Sequence, residues 1–523
     1  MDNFKLNPLV IPEIILILGD FLDDRDLPCC IRVSKTFYNT LSKTLWRNIN
    51  VKSRWRWPCN PSKEALQNNK KYIEKISLQN IIPKEIMSLR GCDRLYSIEY
   101  ERERHLKIRP DLRGLSDLLK AYSSTIRELS CNGIPIPQGF WQVLLECTNL
   151  SLIKVNEVLI SSGGVELFLQ LCKRVRNLDL RLVRISQLPA DFITDSTGKY
   201  ILTNVQKLDL GPVKILHSPF PYKPSYCIGT LVRRCPNLRS FTFDDEPWRP
   251  GQRIPYDFYK VAFLQQPWTL TNLSELTFPH HVIKDTSIAA VLRQMTGLRR
   301  LEAPNCDFGQ LSIRELLASG QEIMDGGHIV RKTRLRRLSD TIETMVINEE
   351  NLETDGVVQM VLSNCPHLKK LTGPRITVTE IVKGAEWVST ELTELSIFLE
   401  ADIDQGTEEG MEKQRIVFRQ LGKLARLHYL NLTGQDQRFR KRQTLDLRLR
   451  AGLDELVNLK DLETLEFRSD YHQQMQPEDA TWIVNNWPKL KYSYLHGRVN
   501  NRQSIHDRVV GILCSRNTQA TRF

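Results

Sequence analysis

Apolar residues recur along the chain in a short motif, apolar-x-x-apolar-x-apolar. Its first position falls at 73, 95, 126, 150, 175, 205, 238, 273, 298, 342, 368, 392, 427, 462 and 490. Leu273/Leu276/Phe278, Leu427/Leu430/Leu432 and Leu462/Leu465/Phe467 are clear instances; Ile342/Met345/Ile347 is weak, and at 490 Ser493 takes the middle place. Alternation of this kind predicts a short strand that shows one face to a core. Ahead of six of these sites, the residues ten, seven, six and three places earlier are all apolar. They are Phe140/Val143/Leu144/Cys147, Val165/Phe168/Leu169/Cys172, Ile228/Leu231/Val232/Cys235, Ile288/Val291/Leu292/Met295, Val358/Val361/Leu362/Cys365 and Ala480/Ile483/Val484/Trp487. That spacing is one face of an α-helix. A helix held in constant phase to a strand is one supersecondary unit, and it cannot bury its apolar face without a neighbour stacked on it.

Most intervals between motifs lie near the leucine-rich-repeat period of roughly 20–29 residues, with insertions. The pattern therefore predicts an α/β fold: a leucine-rich-repeat solenoid over residues 73–497, with a parallel β-sheet on the concave face and helices outside. Residues 498–523, with Val509, Val510, Ile512 and Leu513, are expected to cap its open end. Residues 1–50 do not fit the repeat. Ile11, Ile14, Ile15, Leu18 and Leu22 fall at helical spacing, and Pro12 sits in the first turn, where its missing N–H costs nothing. Asp26 predicts the cap of a second short helix through Val33, and Ser34 that of a third through Leu41. Residues 51–72 read as a junction.

Composition narrows the class. The chain has 523 residues, is 41% hydrophobic and 26% charged, and carries a net +12, an ordinary globular balance. No stretch approaches the ~20 apolar residues of a membrane span. The first twenty residues include Asp2 and Glu13 and show no small-residue cleavage site, a poor secretory signal, so a cytoplasmic or nuclear protein is expected. The 12 cysteines are scattered without any C-x-x-C. Cys92, Cys147, Cys172, Cys235 and Cys365 sit three places before the repeat Leu, where other repeats carry Leu, Met or Trp. Exchange with Leu marks a packing position, not a ligand. No metal, cofactor or catalytic signature is present, and a non-catalytic chain is expected.

The third, fifth and seventh motif positions alternate onto the concave face. They carry ten carboxylates against seven cations, although the whole chain is at +12. A nucleic-acid groove would need a continuous basic stripe there, and the pattern argues against one. The positive excess gathers in RKTRLRR (331–337) and RFRKRQTLDLRLR (438–450), read as solvated loops, with a nuclear-import signal or contacts for an acidic partner as the alternatives; EADIDQGTEEGMEK (400–413) lies between them. Arg and Trp alternate at 54–57, just past the helical segment, and are expected to pack the junction. Aromatic residues on the predicted concave face concentrate late, at Phe398, Tyr429, Tyr492 and Tyr494. With Glu466 and Arg468 they form the expected grip on a protein substrate.

The segment 7–49 resembles an F-box. The residues that carry the likeness are Ile11-Pro12-Glu13-Ile14-Ile15, Phe21-Leu22, Asp26-Leu27, Val33, Leu41 and Leu45-Trp46-Arg47. Ser34 stands where cysteine is frequent in that family, and Phe37 where tryptophan is usual. An F-box followed by leucine-rich repeats resembles the substrate receptors of Skp–cullin–F-box ubiquitin ligases. The resemblance implies a Skp-type adaptor, and through it a cullin ligase, as partner. Carried over by position, the docking residues are Ile11, Pro12, Ile15, Leu18, Leu22, Leu27, Val33, Phe37 and Trp46. The alternative is a leucine-rich-repeat interaction scaffold with no link to a ligase.

Overall fold

Three helices open the chain: α1 (Pro12–Phe21), α2 (Leu27–Cys30) and α3 (Lys35–Arg47). The Ser34 hydroxyl accepts the Phe37 N–H at 3.2 Å, which satisfies one of the orphan donors at the start of α3. Asp26 behaves differently from expectation: its side chain caps nothing, and its own N–H is donated to Asp23 Oδ1 at 3.0 Å. Helix α3 runs on to Arg47, past the expected end at Leu41, because Leu45 still packs on the core formed by Ile15, Leu27 and Leu41.

The computed structural model describes residues 9, 11–23, 26–51, 61–102, 112–136, 138–195, 197–244, 256–264, 270–325, 328–347, 356–432, 443–467, 475–495, 503–515 and 519–520. They fall into two compact units, Met1–Cys235 and Pro236–Phe523. In the first unit β1 (Asn48–Val51) continues directly from α3 and pairs in parallel with β2 (Lys75–Gln79). The sheet thus starts ahead of position 73, inside the segment read as the helical module. It continues in parallel through β3 (Ser97–Glu101), β4 (Glu128–Asn132) and β5 (Leu152–Asn156). Next in the chain come β6 (Leu159–Ile160), β7 (Asn177–Arg181), β8 (Val183–Gln187), β9 (Lys207–Leu210) and β10 (Val213–His217). Strands β7 and β9 extend the large sheet, while β6, β8 and β10 form a small parallel sheet that the repeat pattern did not predict.

The second unit begins with β11 (Ser240–Phe243), β12 (Glu275–Thr277) and β13 (Arg300–Ala303). An antiparallel ribbon follows, β14 (Gly320–Asp325) and β15 (His328–Thr333). The chain then gives β16 (Thr344–Ile347), β17 (Lys370–Thr377), β18 (Glu394–Glu400), β19 (Tyr429–Asn431), β20 (Thr464–Phe467), β21 (Tyr492–Leu495) and β22 (Gln519–Ala520). Apart from the ribbon, these strands pair successively in parallel.

Each strand assigned to a motif begins two residues after the motif's first apolar position, which is itself buried, from Ile73 and Leu95 through Leu427, Leu462 and Leu490. The helical faces are equally legible. Helices Gln138–Glu146, Ser162–Cys172, Pro224–Arg233, Asp285–Gln294, Val357–Asn364 and Pro477–Asn486 occupy the six segments with apolar i, i+3, i+4, i+7 spacing. Cys92, Cys147, Cys172, Cys235 and Cys365 are all buried. At the far end, helix Gln503–Cys514 packs on Pro477–Asn486 and buries Val509 and Leu513.

The first basic insertion is exposed except at one residue, and the second is partly drawn into the core. In the first, Arg334 is only 6% exposed. In the second, residues 438–442 lie outside the described residues, but Leu445 and Leu447 are buried, and Arg448 is paired to the buried carboxylate of Asp446. In the second run the apolar residues reach the core and draw Asp446 in with them, whereas Leu335 of the first run stays in water. Part of the acidic insertion forms the first turns of helix Glu408–Gly422, whose start the Thr407 hydroxyl caps by accepting the Gly410 N–H at 3.1 Å.

Candidate docking surfaces

Helix α1 carries apolar residues at seven of its ten positions beside an acidic edge of Glu13 and Asp20, yet only Ile15 and Gly19 are buried. Gly19 lets α3 approach closely: a Cβ there would stand 2.6 Å from Leu41 Cδ2. Turned outward are Leu16, Ile17 (59% exposed), Leu18 and Phe21 (84% exposed), and Val33 (68% exposed) and Tyr38 are also exposed. Large apolar side chains left exposed together on a folded element mark interaction sites.

The docking residues carried over from the resemblance divide into three groups. Pro12, Leu18 and Val33 are exposed; Ile11, Leu22, Phe37 and Trp46 are half-buried, with Leu22 and Phe37 packed on the helical core. Ile15 and Leu27 are buried, and this corrects their assignment to a partner surface: they join α1, α2 and α3 to one another. The residue-by-residue reading missed Leu16, Ile17, Phe21 and Tyr38. The signal for three of them was present, since the unbroken run Ile14–Leu18 and the following Phe21 supply more apolar surface than one helix face can bury.

The sheet face opposite the helices carries charges in cross-strand and same-strand pairs. Lys75 meets Glu99 at 3.1 Å, Arg181 meets Asp179 at 3.0 Å and Lys207 meets Asp209 at 3.5 Å in the first unit. In the second, Arg300 meets Glu302 at 3.2 Å and Lys370 meets Glu394 at 2.7 Å. Exposed pairs of this kind add little stability, but they neutralise the face. Here the cations are matched to carboxylates and form no basic stripe.

Of the residues expected to grip a substrate, Tyr429 and Glu466 are half-buried on β19 and β20. Register sets positions 429, 464 and 492 in one row across β19, β20 and β21, and 431, 466 and 494 in the next. Arg468 lies outside the described residues, as do residues 54–57. Phe398 departs from expectation: it is 2% exposed. Strands β17 and β18 shift register between Thr372 and Arg375, which places Phe398 opposite Arg375. A bulge of this kind breaks strict alternation, and Ser396 through Leu399 are all buried.

Burial of the thiols opposes their ionisation. It pushes Cys147 and Cys227 up to about 11, and Cys131 and Cys365 up to about 12. A thiol so placed is a poor nucleophile and a poor metal ligand near neutral pH. Among the described residues no helix is long and apolar enough to cross a membrane.

No family profile matches the chain, and no curated protein matches it in sequence. Among solved structures it is similar to an internalin from Listeria monocytogenes, at 15% identity over 78% of this chain and 88% of that one, with a TM-score of 0.40. It is also similar to a chain of the Rad7–Elc1 complex of yeast, at 13% identity over 76% and 89%, TM-score 0.37. A third likeness is to the plant peptide hormone receptor RGFR1, at 15% identity over 82% and 56%, TM-score 0.33. Similarities this low carry no argument about partners. The class rests on the strands and helices themselves: this is an α/β solenoid-like protein built of leucine-rich repeats.

Proposed function

We propose that the chain is a non-catalytic substrate receptor. Its N-terminal helices dock on a Skp-type adaptor of a cullin ubiquitin ligase, and its repeats hold a protein for ubiquitination in the cytoplasm or nucleus. The observation that carries the reading is the apolar surface on α1 and its neighbours, centred on Ile17, Phe21 and Val33 and facing water on an otherwise folded element. Leu18 and Pro12 are exposed on the same helical element, and Ile11, Leu22, Phe37 and Trp46 are half-buried on it. The repeats supply a sheet face of paired charges with a small acidic excess, suited to a protein, with Tyr429, Glu466 and positions 492 and 494 as the proposed grip.

The test is co-purification of the full chain with a Skp-type adaptor, beside a variant carrying Ile17→Asp, Phe21→Asp and Val33→Asp. These side chains are exposed, so the variant keeps its melting temperature, and adaptor recovery falls at least tenfold. Equal recovery with the variant removes the proposed surface. No recovery with the folded wild-type chain removes the ligase connection and leaves the repeats as an interaction scaffold.

A further inference from the structure

The ribbon of β14 and β15 is a two-stranded sheet inserted between helix Gln310–Leu317 and β16. Its six-residue strands are in full register, from Gly320 opposite Thr333 to Asp325 opposite His328. The two strands are not equivalent. Strand β14 leans on helix Asp285–Gln294, where Arg293 meets Glu322 at 3.5 Å. Strand β15 is exposed at all six positions.

Two-stranded ribbons are marginal in water unless something holds them. Here the base is held. Immediately after β15 the buried Arg334 guanidinium donates to the carbonyl oxygens of Leu292, Met295, Glu315 and Ala318, at 2.5, 3.0, 3.2 and 2.8 Å. The Arg334 N–H is itself donated to the Ser319 carbonyl at 2.7 Å. The ribbon is therefore anchored at its root, while Ile329, Val330 and Leu335 (99% exposed) stay in water. The segment 328–337 holds Arg331, Lys332, Arg334, Arg336 and Arg337 and not one carboxylate.

We infer that β15 is a docking edge onto which an acidic, extended segment of a partner protein adds as a third strand. An added strand takes its affinity from main-chain hydrogen bonds and its selectivity from alternating side chains. The outer edge of β15 supplies the first, and its adjacent pairs Ile329-Val330 and Arg331-Lys332 select a chain with two adjacent apolar and two adjacent acidic residues. This site lies in the second unit and does not depend on what α1 binds.

The test uses the full-length protein and a fluorescent peptide of about eight residues built from Val-Val and Glu-Glu pairs, long enough at ~3.3 Å per residue to span β15. Binding is followed by fluorescence anisotropy at physiological salt. Expected are saturable binding, about tenfold weakening by Arg331→Glu with Lys332→Glu, and about tenfold weakening when alternate peptide nitrogens are methylated. Methylation leaves charge and side chains in place and removes the donors that strand addition needs. Absence of binding overturns the proposal. So does unchanged affinity of the methylated peptide, which reports charge attraction alone, equal binding of a Lys-Val peptide, or tighter binding of a single-stranded oligonucleotide of equal charge.

Discussion

Arg334 ties together the C-terminal ends of two successive helices, Asp285–Gln294 and Gln310–Leu317. Carbonyls at helix ends lack partners within the helix, and a cation there also suits the helix dipole. Arg334→Met is expected to cost roughly 2–4 kcal/mol, because buried acceptors lose a charged donor. Arg334→Lys recovers little, since one compact ammonium cannot span four carbonyls. Urea midpoints of the three proteins check this; a midpoint for Arg334→Met equal to wild type refutes the anchoring role. The thiols yield a prediction with a definite sign. Their ordinary value is 9.0, and burial moves Cys147 and Cys227 to about 11 and Cys365 to about 12. Below pH 9 both folded and unfolded thiols keep their protons. Above it the unfolded chain loses protons first, so stability present at pH 8 declines as pH rises from about 9 towards 11–12. Urea midpoints at pH 8 and pH 10.5 measure the decline. In the native protein at pH 8, iodoacetamide is expected to label the exposed Cys29 and Cys514 well ahead of the buried cysteines, as read by mass spectrometry.

At the scale of single elements, α1 separates stability from binding within ten residues. Ile15 is buried against Leu27 and Leu41, so Ile15→Asp is expected to melt the three-helix element. The outward Ile17 carries no such role, and surface substitutions usually stay within about 0.5 kcal/mol. Gly19→Val is expected to cost about 1–3 kcal/mol, because α3 leaves no room for the added carbons. Loss of amide protection in α1 and α3 under hydrogen exchange would report it; full protection would mean that Leu41 moves aside at no cost. Strand alternation shows the other side of the same scale. Alternating residues predict faces well along β2, β4 and β5. They fail at β18, where residues 395–399 are all buried and the pairing with β17 shifts register. Nothing in the local sequence of β18 announces that shift, since it arises between two strands.

Across the whole molecule the repeat determines how damage spreads. Each unit of strand and helix rests on its neighbours, so stability is close to a sum of local terms. Leu427→Ala is expected to cost about 2–5 kcal/mol and to raise hydrogen exchange in β18, β19 and β20 while leaving β2 to β5 protected. Uniform loosening of both units would contradict that additivity. The sequence by itself determined the strands, their starting positions, the helical faces that cover them and the burial of the repeat cysteines. Those features follow from local periodicity, because the same apolar spacing solves the same burial problem at each repeat. Tertiary structure alone decided the small second sheet, the burial of Arg334, the burial of Phe398 and the division of α1 into an inner and an outer side. Each depends on which distant residues arrive opposite: carbonyls of two helices around a guanidinium, Arg375 beside Phe398, and Leu41 against Gly19. A one-dimensional pattern records how much apolar surface a segment carries, and packing in three dimensions decides which part of it meets the core and which is left for a partner.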